Sequence, residues 1–95
     1  MTILWLTAAE QDLYALSDYI AEDNPSTALL IFNKIRLSVE KMKTHPYLGR
    51  VGRVRRTREL VIPKLPFIVV YSVTKEIRIL AVFHTSRKWP YDFDY

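Results

Sequence analysis

Between Thr57 and His84 the chain reads TRELVIPKLPFIVVYSVTKEIRILAVFH, where Val, Ile and Phe either alternate with other residues or form short continuous runs. That pattern predicts three strands, Thr57–Ile62, Phe67–Val73 and Ile77–His84. Pro63-Lys64-Leu65-Pro66 punctuates the first pair, and Thr74-Lys75-Glu76 is a tight turn between the second and third. The three form a meander.

Upstream the period is different. Ala9, Leu13, Leu16 and Ile20 recur at helical spacing, with Glu10, Asp12 and Asp18 on other faces. Thr7 stands at capping-box distance from Glu10, so the helix is expected to start there. It stops in Glu22-Asp23-Asn24-Pro25, where Asn24 caps a second helix and Pro25 fills its first position without losing a hydrogen bond. Ala28, Ile31, Phe32, Ile35, Val39 and Met42 carry that second helix to about Lys43. Lys34, Arg36, Lys41 and Lys43 crowd its C-terminal half, where the helix dipole favours cations. Ile3–Leu6 reads as a short first strand, and Tyr47–Arg56, with both glycines, as a loop. The order is β-α-α-β-β-β, an α+β fold. Its helical hairpin must cover one face of a small, largely antiparallel sheet, since neither layer can otherwise bury its apolar side. The first strand is expected at an edge.

Ninety-five residues are expected to hold one domain, spanning 1–95. A hydrophobic fraction of 49% with 25% charged residues is too apolar for a disordered chain. The absence of cysteine excludes a disulfide scaffold and a thiolate zinc site. His45 and His84 lack metal-ligand spacing, so no metal and no cofactor are expected. The N-terminus lacks the basic and long apolar regions of a signal peptide, and no run approaches a membrane span. A cytoplasmic protein with no membrane partner is expected.

The net charge of +4 conceals two poles. Residues 1–33 carry five acids and no Lys or Arg, a sum of −5, whereas residues 34–64 sum to +8. Five arginines, Arg50, Arg53, Arg55, Arg56 and Arg58, fall within nine residues. Such a concentration attracts phosphate or an acidic protein through a long-range, salt-sensitive field.

In succession, AAEQDL, IAEDNP, HPYLGR, TRELVIP, VVY and FHTSRKWP resemble the RelE/ParE superfamily of toxins from bacterial type II toxin–antitoxin modules. The resemblance covers nearly the whole chain. It implies a toxin that arrests growth and is neutralised by a cognate antitoxin. Two modes of action share the fold: RelE-type members cut messenger RNA on the ribosome, and ParE-type members inhibit DNA gyrase. Fold alone does not separate them.

Metal-independent RNA cleavage needs a base for the 2′-hydroxyl, cations around the phosphorane and an acid for the leaving oxygen. If the chain is a nuclease, the resemblance assigns catalysis to Arg58, Arg87 and Tyr71. His84 is a further candidate acid or base, because its intrinsic pKa lies near neutrality. Two departures weigh against that chemistry. Ile68 replaces the arginine of the family's RLVY-like strand, and Leu60 stands where a second basic residue is typical. The gyrase-directed reading is therefore preferred. Under it Arg50, Arg53, Arg55, Arg56, Arg58 and Arg87 engage the target and Trp89 supplies an aromatic anchor. The alternatives are a ribosome-dependent endonuclease and an inactive basic module that acts with the antitoxin as a repressor partner.

Overall fold

The computed structural model describes residues 1–86. Its elements are β1 (Ile3–Trp5), α1 (Thr7–Asp23), α2 (Pro25–Glu40), a 3-10 turn (Lys41–Lys43), β2 (Arg50–Val51), β3 (Arg58–Val61), β4 (Phe67–Val73) and β5 (Ile77–His84). The strands form one mixed sheet in the order β1-β5-β4-β3-β2. β1 lies parallel to β5 at one edge, and the remaining neighbours are antiparallel. The α+β class stands, and β4 and β5 run over the expected residues.

Alternation sorts each strand onto two faces. Leu60, Phe67, Val69, Tyr71, Ile77, Ile79 and Val82 face the helices and meet Ala9, Leu13, Ile35, Val39 and Met42 in the main core. Ile68, Val70, Leu80, Ala81 and Phe83 form a second cluster on the reverse face, with Leu6 against it. The pairing moves from Val70↔Ala81 to Tyr71↔Ile79, a bulge that leaves Leu80 as the extra residue. Leu80 and Ala81 thus both serve the reverse face, although they are adjacent in sequence.

Asn24 ends α1 and starts α2. Its N–H donates to the Ile20 carbonyl at 3.0 Å and its side chain accepts from the Thr27 N–H at 3.1 Å, with Pro25 at the first helical position. Tyr14 and Phe32 stack at 5.9 Å between the helices, and Arg36 lies over Trp5 at 5.3 Å, tying α2 to β1.

Three expectations need correction. Thr7 is not the cap of α1: Leu6 occupies that position in an extended conformation, with no side-chain cap bond. The reason is the sheet, because the Leu6 N–H still donates to the Ile79 carbonyl at 3.1 Å and holds Leu6 extended up to the first helical turn. The second helix ends as α-helix at Glu40 and tightens into a 3-10 turn through Lys43. Finally, Tyr47–Arg56 is not all loop, for Arg50 and Val51 pair with Glu59 and Arg58 as a fifth strand. The aromatic tail, residues 88–95, lies outside the described residues. Among those described, no helix is long and apolar enough to cross a membrane.

Candidate functional site

The basic segment is held to the sheet at three points. The first is Tyr71, a fully buried β4 side chain whose hydroxyl accepts the Gly49 N–H at 2.8 Å. A Cβ on Gly49 would stand 2.8 Å from the Tyr71 ring and hydroxyl and 2.8 Å from the Glu59 carbonyl. Only glycine lets the backbone approach this closely.

Arg58 is the second. Its Nε donates to the Gly49 carbonyl at 2.9 Å and its Nη2 to the Tyr47 carbonyl at 3.4 Å, with the guanidinium 5.1 Å from the Tyr47 ring centre. Gly49 is therefore gripped at both its N–H and its C=O.

Glu59 is the third, and sequence reasoning missed it. It points to the reverse face and is only 1% exposed. One carboxylate oxygen accepts Arg50 Nη2 at 3.0 Å; the other accepts the Arg53 N–H at 2.9 Å and Arg53 Nε at 3.4 Å. Burial alone would push this carboxyl up. The Arg53 N–H, the two guanidinium bonds and the charge of Arg53 outweigh burial and hold it below its ordinary value of 4.5. A hint existed in the sequence: Glu59 is the one acid between Lys41 and Lys64, amid five arginines. The arginine side chains remain more than half exposed, at 58% for Arg50 and 55% for Arg53. Glu59 thus orients them without hiding them.

Beyond the clamp, Arg55 and Arg56 are exposed on the turn before β3. Arg56 has φ 65°, and Lys64, at the other end of β3, has φ 63° in the turn closed by Leu65 N–H to Ile62 C=O. Both angles lie in the left-handed region that favours glycine. The two glycines have negative φ and are needed for close approach instead. Cations therefore occupy the two positions where glycine would be conformationally cheaper. Arg56→Gly and Lys64→Gly should each hold or raise stability, by up to about 1 kcal/mol in a urea melt, since relief of strain is partly offset by unfolded-state entropy. A loss of more than about 1 kcal/mol would mean these side chains carry structure instead.

The candidate catalytic residues are not gathered at one place. Arg58 and Tyr71 are register partners, but the tyrosine hydroxyl is buried and engaged by Gly49. His84 pairs with Phe67, four residues along β4 from Tyr71 and one strand further from Arg58. The strand spacings put it roughly 16 Å from Arg58. Its Nδ1 accepts the Ser86 N–H at 3.0 Å and lies 2.7 Å from Ser86 Oγ, while its ring meets Phe67 edge-on at 5.4 Å. Ile68 and Leu60, which replace the family's cations, are both buried. Arg87 and Trp89 lie outside the described residues. Among the described residues, no three His, Cys, Asp or Glu side chains converge as a metal-ligand group.

A helical hairpin on a five-stranded sheet, with a glutamate-clamped arginine cluster at one edge, defines a small α+β domain with a strongly basic edge. The chain belongs to the ParE toxin family of type II toxin–antitoxin systems, whose model matches residues 3–89. It is 34% identical over 88 residues to the "Putative toxin Y4kP" of Sinorhizobium fredii, covering 93% of this chain and 92% of that protein. It is 24% identical over 86 residues to Toxin RelE2 of Caulobacter vibrioides, covering 90% of this chain and 96% of that one. Among solved structures, a chain of the chromosomal ParDE system from P. aeruginosa superposes with a TM-score of 0.81 at 29% identity, covering 90% of this chain and 97% of that chain.

Proposed function

We propose that this toxin arrests growth by binding, with DNA gyrase as its target, and that a cognate antitoxin neutralises it. The observation that carries this reading is the clamp around Glu59. Arg50 and Arg53 are oriented by a buried carboxylate and left more than half exposed, which suits an interface rather than a reaction centre. Arg55 and Arg56 extend the same display from the turn; Arg87 is assigned to it by resemblance, and Trp89 because tryptophan is enriched at interface hot spots. The surface would meet an acidic patch of the target, or DNA beside it, through a salt-sensitive encounter.

The distribution of potential acids and bases supports the same conclusion. A phosphoryl-transfer site needs its base, acid and cations within hydrogen-bond reach of one phosphate. His84 and Arg58 stand too far apart for that, and the cations expected at positions 60 and 68 are aliphatic. The mRNA-cleaving alternative draws on the likeness to RelE2.

The deciding experiment is induced expression with separate readouts of protein synthesis and plasmid supercoiling. Loss of supercoiling while translation continues is the expected result; prompt translation arrest with positioned mRNA cuts would overturn the proposal. His84→Ala should keep full growth arrest, whereas an enzyme using His84 as acid or base would lose roughly 10²-fold or more in rate.

A further inference from the structure

The helical hairpin covers the sheet with one side and turns the other to solvent. On α2 that outer side is apolar where a solvated helix is normally polar. Leu30 and Leu37, seven residues apart, are 70% and 65% exposed, and Leu29 beside them is 61% exposed. None of the three belongs to either core cluster. Single exposed leucines are ordinary on a protein surface, but three on one face of one helix make a patch. The outer side of α1 is built the other way. Gln11, Ala15, Asp18 and Glu22 follow at intervals of four, three and four, and all are exposed.

Charge divides the hairpin in the same way. α1 carries five acids and no Lys or Arg, whereas residues 25–43 carry four cations and one acid. The stack of Tyr14 on Phe32 makes those two residues level along the hairpin. Because the helices are antiparallel, Leu30 stands level with Leu16, next to Ala15, and Leu37 stands level with Ala9, next to Ala8. Ala8 and Ala15 are both exposed, and they too lie seven residues apart. The two leucines and the two alanines therefore repeat with the same step, about 10.5 Å along the helix.

We propose that the outer face of the hairpin seats a second copy of this chain, giving a four-helix layer with the two sheets outside it. Two twofold arrangements bring the hairpins back to back, and charge chooses between them. An axis across the helices sets α1 on α1, acid against acid. An axis parallel to the helices sets each α1 on the other copy's α2, acid against cation, with the helix dipoles opposed. That second axis also preserves level along the hairpin. It places Leu30 and Leu37 of one copy over Ala15 and Ala8 of the other, large side chains on small ones. The face is about 25 Å long and about 20 Å wide, so the two copies together bury about 1,000 Å², the lower end for a specific interface, and the dimer is expected to be micromolar. Glu59 points to the reverse face of each sheet, so both arginine clamps stay outside the interface. A target that presents two sites would then be engaged twice. Self-association does not depend on which target the toxin meets.

Sedimentation equilibrium of the full chain over about 1–100 µM should show monomer passing to dimer. Leu37→Glu, at an exposed position, should raise the dissociation constant about 10-fold or more while leaving the circular dichroism spectrum unchanged. A chain that stays monomeric over that range overturns the proposal, as does an association that Leu37→Glu leaves untouched. Amide protection at Leu30 and Leu37 that requires the antitoxin, without self-association, would assign the face to the antitoxin and overturn it too. Cross-linking tests the arrangement. The sequence has no cysteine, so introduced thiols report without background. Under mild oxidation, Leu30→Cys mixed with Ala15→Cys should give a disulfide-linked dimer, because those positions face each other. Either variant alone puts its two thiols on diagonal helices, beyond the reach of a disulfide. A mixture that fails to link, or Ala15→Cys linking to itself as readily as the mixture links, would overturn the α1-on-α2 pairing.

Discussion

Replacing Gly49 with alanine should lower the unfolding free energy by about 2–3 kcal/mol, a large fraction of the margin of a chain this size. The added Cβ would stand 2.8 Å from a ring carbon and from the hydroxyl oxygen of Tyr71, and 2.8 Å from the Glu59 carbonyl oxygen. Neither neighbour can yield easily, because Tyr71 is fully buried and the Glu59 backbone belongs to β3. Strain would be relieved by lifting the loop, which breaks the bond from the Gly49 N–H to the tyrosine hydroxyl and loosens the Arg58 grip on the Gly49 carbonyl. Urea denaturation measures the loss. A combined Gly49→Ala, Tyr71→Phe variant should cost less than the sum of the two single changes, since both act on the same contact. An alanine variant within about 0.5 kcal/mol of the parent would show that the approach is not tight. Growth arrest should fall with stability, because Gly49 leads directly into the strand that carries Arg50.

Glu59→Gln is the second change with a large expected effect. The substitution keeps the volume and removes the charge that two guanidinium groups share, and hydrogen bonds to charged groups contribute about 1.5–3 kcal/mol. A loss near 2 kcal/mol at neutral pH is expected, below that of a fully buried pair because both arginines are partly solvated. The pH dependence has a definite sign. The folded-state carboxyl is held below its ordinary value of 4.5, so its stabilisation is fully present above that value and disappears as pH falls through the folded-state value. Stability curves of parent and Glu59→Gln should therefore converge on acidification below about pH 4.5 and stay parallel above it. Convergence on the alkaline side would contradict the assignment. Glu59→Gln should also weaken growth arrest more than its stability loss explains, because Arg50 and Arg53 lose the group that aims them.

Much of this architecture was legible in local pattern. Asn24-Pro25 predicts the break between the helices, since a side-chain cap and a missing N–H act within a few residues. Phe67–Val73 and Ile77–His84 were readable in full, because β-branched and aromatic runs bounded by turn residues have few other folded states. The errors occurred where long-range pairing overrides a local preference. Thr7 has the spacing of a cap, yet β5 holds Leu6 in that place. Arg50-Val51 has no strand signature and becomes a strand only because β3 offers it an edge. Asp12 reads only as lying off the apolar stripe of its helix, and nothing local shows that it accepts the N–H of Val82, seventy positions away.

The candidate site divides the same way. Sequence alone determined that the chain concentrates positive charge between Arg50 and Arg58, and that positions 60 and 68 carry no cation. Charge and composition are additive properties of a segment, so they need no fold to be read. Tertiary structure alone decided what the charges do. Glu59 and its arginines come together because β2 returns alongside β3, and the buried Tyr71 hydroxyl meets the Gly49 N–H because Gly49 leaves room for the loop to reach it. Distance between side chains is a property of the folded chain, and here it makes the difference between a scattered set of titratable groups and an oriented basic edge.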